Sequence, residues 1–177
     1  GTVLGCGELN QVLAKVRAAG FEGIEILSEH PKLADRDVIA ACRAAGLTMH
    51  GVMATKQWQF PLTDPDPARR EVSRADLRRG IAVAKEAGAD TVLVVPGLVT
   101  EHVPYEKAWD DARAELRLLA PEAGRAGVTL AVENVWNKFL LSPLEFARFV
   151  DEVGSPWVKA YFDVGNFAIW SEPDQWI

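Results

Sequence analysis

Two acidic residues of this sequence stand where apolar runs come to an end. Glu133 follows the run VTLAV, and Asp163 follows the run KAYF, 30 residues further along the chain. A carboxylate at the end of a buried segment needs a partner, and two of them together can hold a divalent cation. Such oxygen ligands suit Mg²⁺ or Mn²⁺, and a histidine nearby would shift the preference towards Mn²⁺, Co²⁺ or Zn²⁺.

A second interpretation of the two acids involves no metal. In that interpretation Glu133 and Asp163 accept hydrogen bonds from neighbouring backbone amides, or form ion pairs with Lys138 or Lys159. Spacing alone leaves both interpretations open, because a metal site generally has more than two protein ligands. The elements that carry the two acids therefore decide whether they can meet.

Five helical patterns in the sequence end at a glycine and are followed at once by a short β-rich run. The junctions are AAGFEGIEIL, AAGLTMHGV, EAGADTVLVV, RAGVTLAVEN and EVGSPWVKAYFDV, with glycine at positions 20, 46, 88, 127 and 154. Glycine suits the left-handed position after a helix, so these residues are predicted to end helices. The fifth helix is also predicted to start at a capping box formed by Ser142, Pro143 and Glu145.

Strands that alternate with helices are expected to pair in parallel, with their carboxyl ends on one face. No GxGxxG or Walker-type turn follows an early strand, which argues against a doubly wound open sheet. The pattern therefore predicts an α/β fold of the (β/α)8 TIM barrel type. That fold typically needs about 250 residues. The 177 residues are expected to form one incomplete barrel domain, residues 1–177, of five or six βα units without the last strands.

Composition and charge limit the partners that the chain can have. A net charge of -6 without a basic cluster argues against a nucleic-acid surface and favours small-molecule ligands. No apolar run reaches the roughly 20 residues of a membrane span, and no signal peptide is recognisable. A cytoplasmic location without membrane association is therefore predicted. The cysteines, Cys6 and Cys42, lack metal-ligand spacing, and Cys42 is predicted to lie in the core.

The run AVENVWNKFLLSPLEFARFVDEVGSPWVKAYFDVGN resembles the sugar-phosphate isomerase/epimerase family of xylose-isomerase-like barrels. Within that family it is most similar to the L-ribulose-5-phosphate 3-epimerase and hexulose-6-phosphate isomerase branches. The resemblance is specific in ENVWNKFLLSP and YFDVGN, and looser in GFEGIEIL, HGV and GADTVLVVPG. It therefore extends over nearly the whole chain.

The resemblance implies a metal held by a Glu, an Asp, a His and a second Glu from four consecutive strands, with both glutamates moving protons. Glu133 matches the first ligand and Asp163 the second. The His and the second Glu would come from strands beyond Ile177, and no residue of this sequence is assigned to either. The implied cofactor is a divalent ion, Mn²⁺, Mg²⁺, Co²⁺ or Zn²⁺.

The implied reaction transfers a proton next to a carbonyl of a sugar or sugar phosphate through an enediolate. A cation would stabilise the developing negative charge while Glu133, as general base, accepts the proton. Epimerisation needs a base on each face of the substrate. With Glu133 alone, this chain is expected to behave as an inactive fragment in stereocentre inversion.

Further candidate residues lie at strand ends and in loops. His50 is predicted to end the strand LTMHGV and face the mouth, with Glu25 pointing into the barrel to position it. The loop ATKQWQFPLTDPDP is long enough to fold over the mouth. The predicted substrate-binding residues are His50, Lys56, Trp58, Asn134 and Lys138, the two lysines for a phosphate and Trp58 for a sugar face. Asn134 is predicted to orient either the Glu133 carboxylate or a substrate hydroxyl, and Asn166 is predicted to support the site.

Two rival functions remain open at the level of the sequence. One is an apurinic-site endonuclease-like enzyme on the same fold. The sequence has only three histidines and a net negative charge, and both features argue against this activity. The other is a non-catalytic module that binds a partner or forms a homo-oligomer through exposed edge strands. A monomer that binds metal would favour the enzyme. An oligomer that does not respond to metal would favour the non-catalytic module.

Overall fold

The computed structural model describes residues 6–30, 32–168 and 171–177. Its strands are β1 (Gly23–Leu27), β2 (Thr48–Met53), β3 (Thr91–Val94), β4 (Thr129–Glu133) and β5 (Val158–Tyr161). Its helices are α1 (Cys6–Ala18), α2 (Asp35–Ala44), α3 (Pro67–Ala87), α4 (Tyr105–Ala126), α5 (Pro143–Val153) and α6 (Val164–Phe167), followed by a 3-10 turn at Pro173–Trp176. The extra strand considered at GTVL lies outside the described residues.

The five strands form one parallel sheet in the order β1-β2-β3-β4-β5. A helix follows each strand, so the βα alternation that the glycine junctions predicted is confirmed. In the last pair, Glu133 of β4 lies opposite Tyr161 of β5. The carboxyl ends of the two strands therefore lie side by side on one edge of the sheet.

Local sequence explains where the helices start and stop. Gly88, Gly127 and Gly154 follow α3, α4 and α5 in the left-handed conformation, with φ of 79°, 71° and 72°. At the start of α5, Ser142 Oγ accepts a hydrogen bond from the N–H of Glu145 at 3.3 Å. The reciprocal half of the predicted capping box reaches one residue further back, to the N–H of Leu141.

The sheet has two different apolar faces. Alternate residues of β4, such as Leu130 and Val132, are fully buried in the large core between the sheet and the helices. The opposite face carries a smaller cluster of Leu93, Val95 and Val135, against which Tyr161 packs. The second face is the interior of the barrel, and it is where side chains of different strands converge.

A hydrogen bond across the interior shows that the sheet is curled. Tyr161 Oη, on one edge strand, donates to Glu25 Oε1 on the other edge strand at 2.9 Å. Two edge strands of a five-stranded sheet can approach this closely only when the sheet bends round as in a barrel. The predicted TIM-barrel fold, incomplete in this chain, is confirmed over the open-sheet alternative.

Two further expectations from composition can be compared with the structure. Cys42 on α2 is 1% exposed within the large core, as predicted. Among the helices that the structure describes, none combines the length and apolar character needed to cross a membrane.

We predict that Gly51→Ala disturbs the interior of the curled sheet. A Cβ at Gly51 would lie 2.7 Å from Glu25 Oε1, so the carboxylate must move away from Tyr161. The free energy of unfolding, measured by urea denaturation, should fall by about 1–2 kcal/mol. Gly7→Ala on α1, where the added carbon meets nothing within 4 Å, is the control and should not destabilise the chain. Equal stability of the two variants would contradict the prediction.

Candidate active site

The two acids identified in the sequence converge at the carboxyl edge of the sheet. Glu133 ends β4, and Asp163 lies two residues beyond β5. Burial, the charges of Asp163 and Glu25, and a hydrogen bond shared with Asp163 together raise the pKa of Glu133 to about 7. The side chains of Glu133 and Asp163 are therefore in contact, and the ion pairs with Lys138 or Lys159 are not what holds Glu133.

Asp163 is fixed by the short helix that follows it. Its Oδ1 accepts a hydrogen bond from the N–H of Asn166 at 2.9 Å, which makes Asp163 the N-cap of α6. The interpretation in which the acids accept hydrogen bonds from backbone amides therefore holds for Oδ1 of Asp163. Contact with Glu133 adds a second constraint to the same carboxylate.

Asn134 holds the backbone of Asp163 next to Glu133. Its Nδ2 donates to the carbonyl of Asp163 at 2.8 Å, and its Oδ1 accepts from the N–H of Asp163 at 2.7 Å. Only 1% of Asn134 is exposed, and its amide is used in these two bonds. Its contact with a substrate stays a prediction. The amide continues the pairing of the two strands after their last backbone hydrogen bonds.

Asn166 completes the network on the far side. Its Nδ2 donates to the carbonyl of Asn134 at 2.8 Å, and its own carbonyl accepts from Trp136 Nε1 at 2.9 Å. Asn166 therefore links the two segments that follow β4 and β5. Its supporting role at the site stays a prediction.

A cleft of about 570 Å³ opens above the two acids. Trp58 lines it and is 52% exposed, so the structure places this residue at the mouth, where the sequence located it. Its stacking role stays a prediction. The lining residues are Leu27, Met53, Ala54, Thr55, Gln57, Trp58, Leu93, Val95, Glu133, Val135, Trp136, Asp163 and Asn166.

Gln57 is a lining residue that the sequence analysis did not identify. It is 1% exposed; its Nε2 donates to the carbonyls of Ala54 and Leu93 at 3.2 and 3.1 Å, and its Oε1 accepts from the N–H of Val95 at 2.8 Å. Gln57 therefore hydrogen-bonds the backbone at the end of β3, as Asn134 hydrogen-bonds the backbone that follows β5. In the sequence it lies in a polar loop, and nothing there distinguishes it from a solvated residue.

Asp76 on α3 is a second unpredicted residue near the site. Its buried carboxylate accepts from Ser28 Oγ at 2.8 Å and from the N–H of Lys56 at 2.7 Å. These contacts tie the ends of β1 and β2 to a helix. They fix the start of the loop that carries Gln57 and Trp58.

The predicted position of His50 is wrong. Strand β2 continues to Met53, so His50 is its third residue rather than its last. A β-bulge opposite Ile24 and Glu25 shifts the register there, and the ring of His50 lies near Gly23, the first residue of β1. His50 is therefore set back towards the amino ends of the strands, and it does not line the cleft.

Glu25 and the two lysines also differ from their predicted surroundings. Glu25 accepts from Tyr161 and influences Glu133, so it belongs with the acids and not with His50. Lys56 Nζ pairs with Glu29 Oε2 at 3.0 Å, outside the cleft lining. Lys138 is exposed, with φ of 59°, and is also absent from that lining.

A divalent cation needs several oxygen or nitrogen ligands around it. Among the residues that the structure describes, no group of three or more histidine, cysteine or acidic side chains could hold a metal ion. Glu133 and Asp163 nevertheless supply two hard oxygen ligands whose mutual repulsion a cation would relieve. The chain's own residues therefore fit a divalent ion as two of its ligands.

Comparison with known proteins identifies a family. Residues 13–177 match the family described as xylose isomerase-like TIM barrel. L-ribulose-5-phosphate 3-epimerase UlaE of Salmonella paratyphi B is 26% identical over 142 residues, which covers 78% of this chain and 49% of that protein. This chain thus spans about half the length of the curated relatives it matches.

Solved structures resemble the same part of the chain. A structure of L-ribulose 3-epimerase has a TM-score of 0.79 at 23% identity, covering 93% of this chain and 58% of the other. A xylose isomerase-like TIM barrel protein from Mycobacterium smegmatis in complex with magnesium has a TM-score of 0.74 at 23% identity, with coverage of 93% and 58%. At these identities the likeness establishes the fold.

We predict that Asn134→Ala loosens the contact between the two acids. Loss of two buried hydrogen bonds should lower the free energy of unfolding by about 2–3 kcal/mol. With Asp163 released, the pKa of Glu133 should move back towards its ordinary value, as measured by carboxyl NMR titration.

Asn137→Ala is the matched control for that variant. Asn137 is also buried, donates to the carbonyl of Gly97 at 2.7 Å and accepts from the N–H of Phe139 at 3.1 Å. It should cost similar stability but leave the titration of Glu133 unchanged. An equal effect of both variants on Glu133 would show that Asn134 has no special part in the site.

We predict that Glu133→Gln stabilises the metal-free chain only at high pH. The pKa of Glu133 is raised from 4.5 to about 7 in the fold. Its contribution to stability is therefore full below pH 4.5 and is lost as the pH rises through 7. Glutamine stays neutral at every pH. In EDTA at pH 8, the free energy of unfolding of the variant should therefore exceed that of the wild type by roughly 1–2 kcal/mol, a figure reduced because Glu133 is partly exposed. Near pH 4 the two free energies should be equal.

The exposed Glu86 on α3 provides a control for removal of one negative charge. Glu86→Gln should not reproduce the gain at pH 8 in the same urea denaturation series. A gain from Glu133→Gln that is the same at both pH values would contradict the prediction.

Proposed function

The chain belongs to the xylose isomerase-like TIM barrel family, and from this premise we propose that it carries half of the active site of a metal-dependent sugar isomerase or epimerase. The observation that supports this most directly is the contact between Glu133 and Asp163 under an open cleft. Two similar proteins, named L-ribulose-5-phosphate 3-epimerase and L-ribulose 3-epimerase, also support the proposal. Residues 1–177 would then be one partial barrel domain.

Glu133 is proposed as the group that takes the proton from the substrate carbon. Glu133 suits this role because its carboxylate lies half-buried in the cleft lining beside Asp163, where it can accept a proton from a bound substrate. Burial and the charge of Asp163 raise the pKa of Glu133 to about 7 while no ion is bound, and Asn134 holds Asp163 in place. The three residues thus form one unit.

Glu133 and Asp163 are also the residues that would hold the divalent ion. When bound, such an ion supplies electrostatic stabilisation of negative charge that develops on the sugar oxygens. The wall formed by Leu93, Val95 and Val135 keeps water from one side of the cleft. Exclusion of water strengthens the interactions between charges that remain.

One face of the substrate would have a base in this chain. Glu133 lies on one side of the cleft, and no other described lining residue besides Asp163 is an acid or a histidine. Proton exchange without inversion is therefore the proposed chemistry of these residues alone. Epimer formation would require a second base.

We predict that Mn²⁺ binds at Glu133 and Asp163. Paramagnetic broadening in an amide NMR spectrum should be strongest at Asn134, Tyr161 and Asp163, which surround the two carboxylates. Glu133→Gln and Asp163→Asn should each weaken binding by more than about tenfold, because ligands matter at least as much as the groups that orient them. Glu86→Gln is the control. Broadening centred elsewhere, or unchanged in both variants, would refute the proposed metal site.

We also predict that the Mn²⁺-loaded chain exchanges a proton next to the carbonyl of L-ribulose. In D₂O, deuterium incorporation followed by NMR should require Glu133 and be lost in Glu133→Gln. No epimer should accumulate, provided that host enzymes are excluded. Epimer formation by the 177-residue chain would show that a second base is present.

A further inference from the structure

Residues 54–66, between β2 and α3, form one wall of the cleft and contribute to its lining Ala54, Thr55, Gln57 and Trp58. We call this segment the Trp58 loop. The sequence indicates a loop long enough to fold over the mouth, and loops of this kind often act as lids. A lid must come away from the rest of the fold, so the contacts of the Trp58 loop show whether it can do so.

The first part of the Trp58 loop is held by groups from three different elements. Asp76 of α3 accepts a hydrogen bond from the N–H of Lys56 at 2.7 Å. Ser28, which follows β1, accepts from the N–H of Thr55 at 3.3 Å. Gln57 bonds backbone groups at the end of β3. The residue that precedes Trp58 is therefore fixed to the sheet.

The middle of the Trp58 loop is held by one arginine of α3 and by the core. Arg69 donates from Nη2 to the carbonyl of Gln59 at 2.6 Å and from Nε to Asp64 Oδ2 at 2.8 Å. Its guanidinium also lies 4.6 Å from the centroid of the Phe60 ring. Leu62 is 0% exposed within the large core. The loop is therefore anchored after Trp58 as well as before it.

Thr63 joins the Trp58 loop to the next loop, which connects β3 with α4. Its Oγ1 donates to the carbonyl of Leu98 at 3.0 Å and accepts from the N–H of the same residue at 2.9 Å. Thr63 is 0% exposed. A Cβ added at Gly97 would lie 2.3 Å from Thr63 Cγ2, so this side chain lies directly against the backbone of the second loop. One buried hydroxyl thus satisfies both polar groups of Leu98.

The segment that Thr63 bonds is also held on its other side. Asn137 Nδ2 donates to the carbonyl of Gly97 at 2.7 Å, and the N–H of Val99 donates to the carbonyl of Asn137 at 3.2 Å. Asn137 belongs to the loop that follows β4. The loops after β2, β3 and β4 are therefore joined in a row, with residues 97–99 in the middle.

From these contacts we infer that the Trp58 loop is a fixed wall of the cleft and that Thr63 is the positioning residue that holds it. Trp58 is 52% exposed, but its neighbours Gln57 and Gln59 are both anchored, so its ring stands at the cleft before a ligand arrives. A wall that is already ordered avoids the entropic cost of ordering a loop on binding. Only the part of the inference that concerns sugar binding rests on the proposed function.

Amide hydrogen exchange followed by NMR tests the role of Thr63 in the unliganded chain. The reporter is the amide of Phe60, which donates to the carbonyl of Lys56 at 2.8 Å within the Trp58 loop. Thr63→Val keeps the shape of the side chain but removes the hydroxyl, so exchange at Phe60 should become about tenfold faster. Thr63→Ser keeps the hydroxyl and should restore exchange to within about twofold of the wild type.

Ser155→Ala is the control for loss of a hydroxyl elsewhere. Ser155 Oγ accepts from the N–H of Trp157 at 3.3 Å, in the turn between α5 and β5. This variant should leave exchange at Phe60 unchanged. Faster exchange at Leu98 alone in Thr63→Val would show that Thr63 satisfies one peptide and does not hold the loop, which would overturn its assignment.

The position of Trp58 is followed by fluorine NMR of the chain labelled with 5-fluorotryptophan, with the signal assigned by its loss in Trp58→Phe. One narrow signal is expected in the wild type and in Thr63→Ser, and a broadened or split signal in Thr63→Val. With Mg²⁺ and L-ribulose added, exchange at Phe60 in the wild type should change by less than about twofold, because a fixed wall does not close on its ligand. Calorimetry should show about fivefold weaker sugar binding by Thr63→Val than by Thr63→Ser.

The outcomes separate this inference from the proposed function. Exchange at Phe60 that becomes tenfold slower when the sugar binds would identify the Trp58 loop as a lid and overturn the inference, with the proposed function left standing. An unchanged Trp58 signal and unchanged exchange at Phe60 in Thr63→Val would overturn it in the same way. Failure of the wild-type chain to bind L-ribulose would contradict the proposed function, whereas the measurements on the unliganded chain would still decide the inference.

Discussion

The site depends on how backbone groups are satisfied where parallel strands separate. Beyond its last ladder hydrogen bond, each strand leaves buried N–H and carbonyl groups that need partners. Buried side-chain amides provide them: Gln57 bonds the end of β3, Asn134 bonds Asp163 after β5, and Asn137 bonds Gly97. The segments that would contact a ligand are therefore held by rigid, desolvated contacts. Because Asn134 bonds both polar groups of the Asp163 peptide, it also sets where that carboxylate lies relative to Glu133.

The same site is electrostatically costly for the isolated fold. Glu25, Glu133 and Asp163 bring three acids to one region, and the fold compensates only in part. Tyr161 donates to Glu25, and burial together with that carboxylate raises the pKa of Tyr161 to about 12, so the hydroxyl remains a donor. Glu133 keeps its repulsion with Asp163. Electrostatic repulsion between neighbouring acids that the fold does not relieve is typical of functional sites, where it lowers stability.

Features that depend on local sequence could be predicted, and features that depend on distant partners could not. Glycine after a helix is a local signal, and an acid after an apolar strand acquires meaning once the strands are known to be parallel. His50 was misplaced because a one-residue bulge changes register without changing the residue pattern. Gln57 was missed because its partners on β3 become neighbours only in the fold. The ion pair between Lys56 and Glu29 could not be predicted either, because the two residues follow different strands and become neighbours only in the fold.

The bond between Tyr161 and Glu25 has a consequence for how the chain is made. It joins residues 136 positions apart, whereas each neighbouring strand pair joins segments separated by one helix. On a ribosome, β1 emerges long before β5, so Glu25 has no Tyr161 to accept from until β5 has been synthesised. Contacts of such long range are closed late and slowly. The contact between Tyr161 and Glu25 is therefore expected to form later than the contacts between neighbouring strands.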